Sequence, residues 1–242
     1  MRVTSFILAL ALATPSVADD RSPSSAVKIT ELPGGSAIGR LMFAGRSMCT
    51  GALVSPDTVL TAAHCLYDPL TGRKIRPGKM EFQAGMMGGK AKAVRSVADA
   101  THHPDYKHRK RGKAQLGYDV ALLRLSSAIP SDAANPVPVG GRPAKGEVLG
   151  VVSYALGQKG DPAFAYPCQV LAQQSETLVM SCHVDFGASG APVLSFGNGE
   201  QPSLVSVVSA KAAMGGREVS VGTTLDTKTL NALMTESWAS LN

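Results

Sequence analysis

The sequence predicts an all-β fold, a sandwich or a barrel, and three observations carry that prediction. Apolar runs are short, as in Ile38 to Phe43, Thr50 to Val54, Val120 to Leu125, Val148 to Tyr154, Ala191 to Leu194 and Leu204 to Ser209. Gly, Pro, Asn and Asp separate them. Long helical periods are few, and strands do not alternate with helices as they would around a parallel sheet.

In chain order, Arg2 and the apolar run Phe6 to Ala13 form the charged and hydrophobic parts of an export signal. Ser16-Val17-Ala18 offers a small-x-small cleavage site before Asp19. The run is too short to span a bilayer, so residues 1–18 are expected to be removed, leaving a secreted or periplasmic chain without a membrane span. Residues 19–36 form an N-terminal arm or a short propeptide. Within Val120 to Leu125, Arg124 stands between two leucines, as a strand with one wet face allows. Ser126 to Lys145 holds Pro130, Pro136, Pro138, Gly140, Gly141 and Pro143, which break regular structure and mark a linker. It parts a first unit, residues 37–135, from a second, residues 136–225. In residues 226–242, Asp226 or Thr227 can cap a helix bearing Leu230, Leu233, Met234 and Trp238, a stripe suited to packing on the second unit.

The formal charge is +6, and much of the excess lies in Lys107-His108-Arg109-Lys110-Arg111-Gly112-Lys113. This basic loop, 107–113, is placed to steer acidic substrates or to hold the chain to an anionic surface, although such a run is also simply a solvated loop. No aromatic residues interleave with it, so nucleic-acid binding is not expected. His102, His103 and His108 cluster without a spaced cysteine or carboxylate set, so no metal and no cofactor is expected. All four cysteines follow residue 18, as in an exported protein with two disulfides, and the sequence allows three pairings.

Three segments carry chemistry. Thr61-Ala62-Ala63-His64-Cys65 ends an apolar run with a base. Tyr118-Asp119-Val120-Ala121-Leu122-Leu123-Arg124-Leu125 puts an acid at the head of a strand. Phe186-Gly187-Ala188-Ser189-Gly190-Ala191-Pro192-Val193 sets a serine in a glycine-flanked turn. Singly, these are a core histidine, a strand cap and a turn serine. Together they supply a base, an acid to orient it and a hydroxyl to be activated by it.

Their order, His then Asp then Ser, and their wording resemble the chymotrypsin/trypsin-like serine peptidases. The resemblance covers roughly residues 37 to 225. It implies two six-stranded antiparallel β-barrels with the active site between them and a C-terminal α-helix. It also implies a triad of His64, Asp119 and Ser189 acting through an acyl-enzyme, with the backbone N–H groups of Gly187 and Ser189 as the oxyanion hole. The implied disulfides are Cys49–Cys65 and, with it, Cys168–Cys182. Implied partners are protein or peptide substrates, met by a monomer.

Departures from the trypsin pattern narrow the resemblance. Ala188 precedes the serine where trypsin-like zymogens carry the aspartate that pairs with a new N-terminus. Gly-Ala-Ser-Gly and Ala37-Ile38-Gly39-Arg40-Leu41 instead look like the bacterial V8-like (glutamyl endopeptidase-type) members. His183 occupies the position of trypsin's charge-selecting aspartate, and Ser209 lies on the strand expected to pair with substrate, so both are candidate substrate-binding residues. No histidine follows His183, which leaves the glutamate-reading histidine of V8-like enzymes without a counterpart. The rival readings are a catalytically silent homologue that binds proteins, and an esterase on the same machinery.

Overall fold

The computed structural model describes residues 32–108, 113–154, 160–197, 201–226, 229–231 and 233–235. The proposed export signal, most of the N-terminal arm, the centre of the basic run and Trp238 lie outside them. Twelve strands close into two antiparallel barrels. The first contains β1 (Ile38–Phe43), β2 (Arg46–Ser55), β3 (Thr58–Thr61), β4 (Met80–Ala84), β5 (Ala93–His102) and β6 (Ala121–Leu125), in the order β1-β2-β3-β6-β5-β4. The second contains β7 (Val148–Ser153), β8 (Ala163–Gln174), β9 (Thr177–Met180), β10 (Pro192–Ser195), β11 (Ser203–Met214) and β12 (Arg217–Thr224), in the order β10-β11-β12-β9-β8-β7. Each of these strands pairs with a neighbour on both sides, which is how an all-β chain avoids edge-to-edge association.

Period-two burial turns each apolar run into a wall. In β4, Met80, Phe82 and Ala84 are buried while Glu81 and Gln83 are half-buried. Phe82 fills the first barrel because Gly39 and Gly51, paired across β1 and β2, leave room for its ring. A Cβ on Gly39 would stand 2.7 Å from that ring. Leu53, Leu60 and Leu123 close the core around it. That core continues into the second barrel through Val152, Leu194 and Leu204, so the two barrels share one apolar contact.

The proline-rich stretch between β6 and β7 is pinned to both barrels rather than hanging free. Ile129 N donates to Pro56 O and Val137 N to Leu53 O on the first barrel, then Gly140 N and Leu204 N form bonds that tie the stretch to β11. The disulfides are Cys49–Cys65 and Cys168–Cys182. The first fastens β2 to the turn that follows β3, and the second fastens β8 to the chain after β9. Loops of this size contribute about 3 kcal/mol each in the chain-entropy account. A short one-turn helix, α1 (Lys113–Leu116), lies just ahead of β6. None of the described helices is long and apolar enough to cross a membrane.

Helical residues follow at 229–231 and 233–235. Leu233 is fully buried in the shared core and Leu230 packs beside it, while Met234 is exposed. Asp226 caps this helix: its carboxylate accepts the Thr229 amide at 2.7 Å, and Arg142 lies 3.5 Å away. The Thr229 amide is the largest influence holding the Asp226 carboxyl below the ordinary aspartate range; burial opposes it, and the Thr229 hydroxyl and Arg142 assist. Because the folded value is the lower one, this stabilisation is present above about pH 4, the unfolded range, and is lost as pH falls. Asp226→Ala should therefore lower stability by about 1 kcal/mol at neutral pH. In urea melts, the gap between variant and wild type should shrink as pH falls below that range.

Candidate active site

β3 ends at Thr61 and the chain turns into a short 3-10 segment, Ala63–Leu66, which lifts His64 out of the first barrel. Asp119 heads β6, which is paired with β3, so the two residues meet across neighbouring strands. The Asp119 carboxylate accepts the His64 backbone N–H at 2.8 Å through Oδ1 and faces His64 Nδ1 at 2.7 Å through Oδ2. Oδ2 also accepts the Ser209 hydroxyl from β11 of the second barrel. A carboxylate has no proton to give, so this arrangement places the imidazole proton on Nδ1 and turns Nε2 outward as an acceptor. Asp119 is 4% exposed, and a buried charge of this kind requires such donors. Tyr106 stands nearby, its hydroxyl held protonated by burial and next by the Asp119 charge.

Ser189 lies on the loop before β10 and faces the same seam. Its carbonyl accepts the Thr50 amide at 2.8 Å. Gly190, at φ 74°, packs so closely on the first barrel that a Cβ would lie 2.2 Å from Thr61 Oγ1 and 2.8 Å from the Ala62 nitrogen. Only glycine fits there. The serine turn is thus docked two residues from His64, although no hydrogen bond joins the Ser189 hydroxyl to the imidazole among the described residues. Gly187 adopts φ 98°. Neither the Gly187 nor the Ser189 amide donates to a protein acceptor among the described residues, which leaves two N–H groups of one turn available to an anionic oxygen.

Thr50 holds this turn from the first barrel, a part that nothing in the sequence signalled. It is fully buried. Its hydroxyl donates to Gly187 O at 3.0 Å and accepts the Tyr154 amide at 3.0 Å, while its carbonyl accepts the Thr61 hydroxyl. One side chain therefore joins β2, the serine turn and the end of β7.

The two candidate substrate residues occupy different settings. The Ser209 hydroxyl is committed to Asp119, so its side chain serves the acid rather than a pocket wall. A register shift between Val208 and Ala210 leaves Ser209 without a partner in β12. His183 is exposed and lies 2.8 Å from Glu218 and 3.7 Å from Asp185. Beside it, Lys211 reaches Asp185 at 3.2 Å and stands 5.9 Å from the centre of the Phe186 ring. Within the same end of the barrel, the buried Ser220 hydroxyl has no hydrogen-bond partner among the described residues. Glu218, Lys211 and Ser220 come from a β-hairpin whose register the sequence alone did not disclose.

Cys49, His64 and Cys65 converge closely, but the two sulfurs are bonded to each other and supply no thiolate for a metal.

The Trypsin family model matches residues 31–227, and the chain belongs to that family of trypsin-like serine peptidases. It is similar to trypsin CFT-1 of Choristoneura fumiferana, 28% identical over 149 residues, 58% of this chain and 54% of that protein. It is also similar to inactive CLIP domain-containing serine protease A3 of Aedes aegypti, 34% identical over 97 residues, 39% of this chain and 20% of that protein. The chain spans only about a fifth to a half of such curated relatives. Among solved structures, a Glu endopeptidase in complex with MPD shares the fold at TM-score 0.67 and 17% identity, over 84% of this chain and 90% of that one.

Thr50→Val keeps the shape but strips the hydroxyl, leaving Gly187 O and the Tyr154 amide unpaired. Chemical denaturation should show a loss of about 1–3 kcal/mol for each group so stranded, and Thr50→Ser should remain near wild type.

Proposed function

We propose that this chain is an exported serine endopeptidase acting through His64, Asp119 and Ser189. The observation that carries the reading is the buried Asp119 carboxylate on His64 Nδ1, set beside a docked serine turn whose two amides meet no acceptor among the described residues. Ser189 Oγ attacks the scissile carbonyl while His64 Nε2 takes its proton. The Gly187 and Ser189 amides receive the oxyanion, and removing one such donor typically costs about 3–4 kcal/mol of barrier. The imidazolium, stabilised by Asp119, then gives its proton to the departing amine, leaving an ester on Ser189. Water, deprotonated by His64, releases the acid product and restores the serine.

Two features support the surrounding claims. The disulfides suit an oxidising compartment and so an exported protein. Ala188, buried at 1% exposure, has no carboxylate to pair with a newly cut N-terminus, so the site is assembled without that switch. The second reading, a silent homologue that binds proteins, is favoured by the likeness to a relative named inactive.

A fluorophosphonate probe separates the two. Wild type should take up one equivalent at Ser189, and Ser189→Ala none. Asp119→Asn should label slower by about 10⁴-fold, the cost of losing the acid in the reference triad. Folded wild-type protein that stays unlabelled would establish the binding protein instead.

A further inference from the structure

Charge is divided unevenly between the barrels. Among the described residues, 32–125 hold 12 Lys and Arg against 6 Asp and Glu, whereas 126–226 hold 4 against 7. The imbalance gathers beside the candidate site. The loop from Tyr67 to Lys79 leaves the turn that carries His64, and its exposed residues include Arg73, Lys74, Arg76 and Lys79. None of these four side chains has an ion-pair or hydrogen-bond partner among the described residues. The loop's acid, Asp68, is occupied by the Leu70 and Thr71 amides.

The loop is held firmly enough to present those charges as a surface. Asp68 N donates to Arg73 O, Gly72 N to Asp68 O and Ile75 N to Leu66 O. Ile75 is buried beneath it. The Tyr67 ring lies flat on His108 at 3.9 Å and its hydroxyl meets His102 Nε2 at 3.2 Å, which ties the loop to the segment leading into Asp119. That second segment adds Lys107, whose ammonium donates, among the described residues, to the Pro104 carbonyl alone. Five cations thus stand on two loops, one leaving His64 and the other entering Asp119.

We infer that Arg73, Lys74, Arg76, Lys79 and Lys107 form an exosite that captures an acidic stretch of the polypeptide being cut. The inference rests on the endopeptidase reading for its partner, because a chain held at Ser189 must pass loops rooted on His64 and Asp119. Fixed cations without counter-charges raise the local concentration of an anionic partner and its rate of encounter, and salt screens the effect. A membrane surface is the weaker fit, since the loop exposes one large apolar side chain, Leu70, and no apolar face.

The test is binding, so it does not depend on turnover. Ser189→Ala protein is titrated into a fluorescein-labelled dodecamer of glutamate, followed by anisotropy, at about 20 and 200 mM salt. Binding should weaken by about 10-fold or more across that range. Adding Arg73→Gln and Lys74→Gln should weaken it by a similar factor at low salt. Adding Lys90→Gln and Lys92→Gln, which remove the same charge from the turn between β4 and β5, should change it less than 2-fold. Equal losses from the two pairs would show that net charge alone is at work and would overturn the exosite. So would uptake by phosphatidylglycerol vesicles with no binding of the peptide. The fluorophosphonate result bears only on the peptidase reading, so the two can fail separately.

Discussion

Thr50 spans the seam on which the site depends. Its amide and hydroxyl reach the Ser189 and Gly187 carbonyls, its hydroxyl receives Tyr154 from the second barrel, and its carbonyl holds Thr61 just before His64. Two barrels packed through apolar residues alone can slide, because burial has no direction. Hydrogen bonds made inside that contact do have direction, and each would leave a costly orphan if the seam shifted. Gly190 completes the constraint from the other side by removing the side chain that would hold the barrels apart.

Asp119 applies the same logic to charge. A carboxylate at 4% exposure needs donors, and it finds them on a backbone amide, an imidazole and a hydroxyl from the opposite barrel. Satisfying the acid therefore also fixes the imidazole ring and its tautomer. The second barrel contributes to that orientation through Ser209, so the acid senses whether the barrels are in register. In the proposed mechanism, this preorganisation is what the enzyme brings to the oxyanion and to the imidazolium.

Much of this could be read from the chain. His64, Asp119 and Ser189 stand in local motifs whose wording survives without the fold, and short apolar runs disclosed the strands. A cap at Asp226 or Thr227 is legible because capping chemistry is local, and the Thr229 amide on the Asp226 carboxylate decides between them. Thr50 was not, since its meaning lies in contacts with Gly187 and Tyr154 more than a hundred positions away. The contact of Ser209 with Asp119 is not legible in the sequence, because the bulge beside it in β11 is a property of pairing. The same holds for Glu218 against His183: hairpin register decides which exposed charges meet. The linker was recognised by its prolines, while its attachment to both barrels depended on acceptors at Leu53, Pro56 and Leu204.

The elements that orient His64 and Asp119 also position cations beside them that have no ion-pair partner among the described residues. In the proposed enzyme the Thr50 seam aims the Gly187 and Ser189 amides at the atom bonded to Ser189. A crystal structure of the phosphonylated protein tests it most directly. Phosphorus is expected on Ser189 Oγ, with the phosphoryl oxygen about 2.7–3.1 Å from both amide nitrogens and Thr50 Oγ1 still on Gly187 O. A phosphoryl oxygen turned to solvent, with either amide bonded elsewhere, would contradict it.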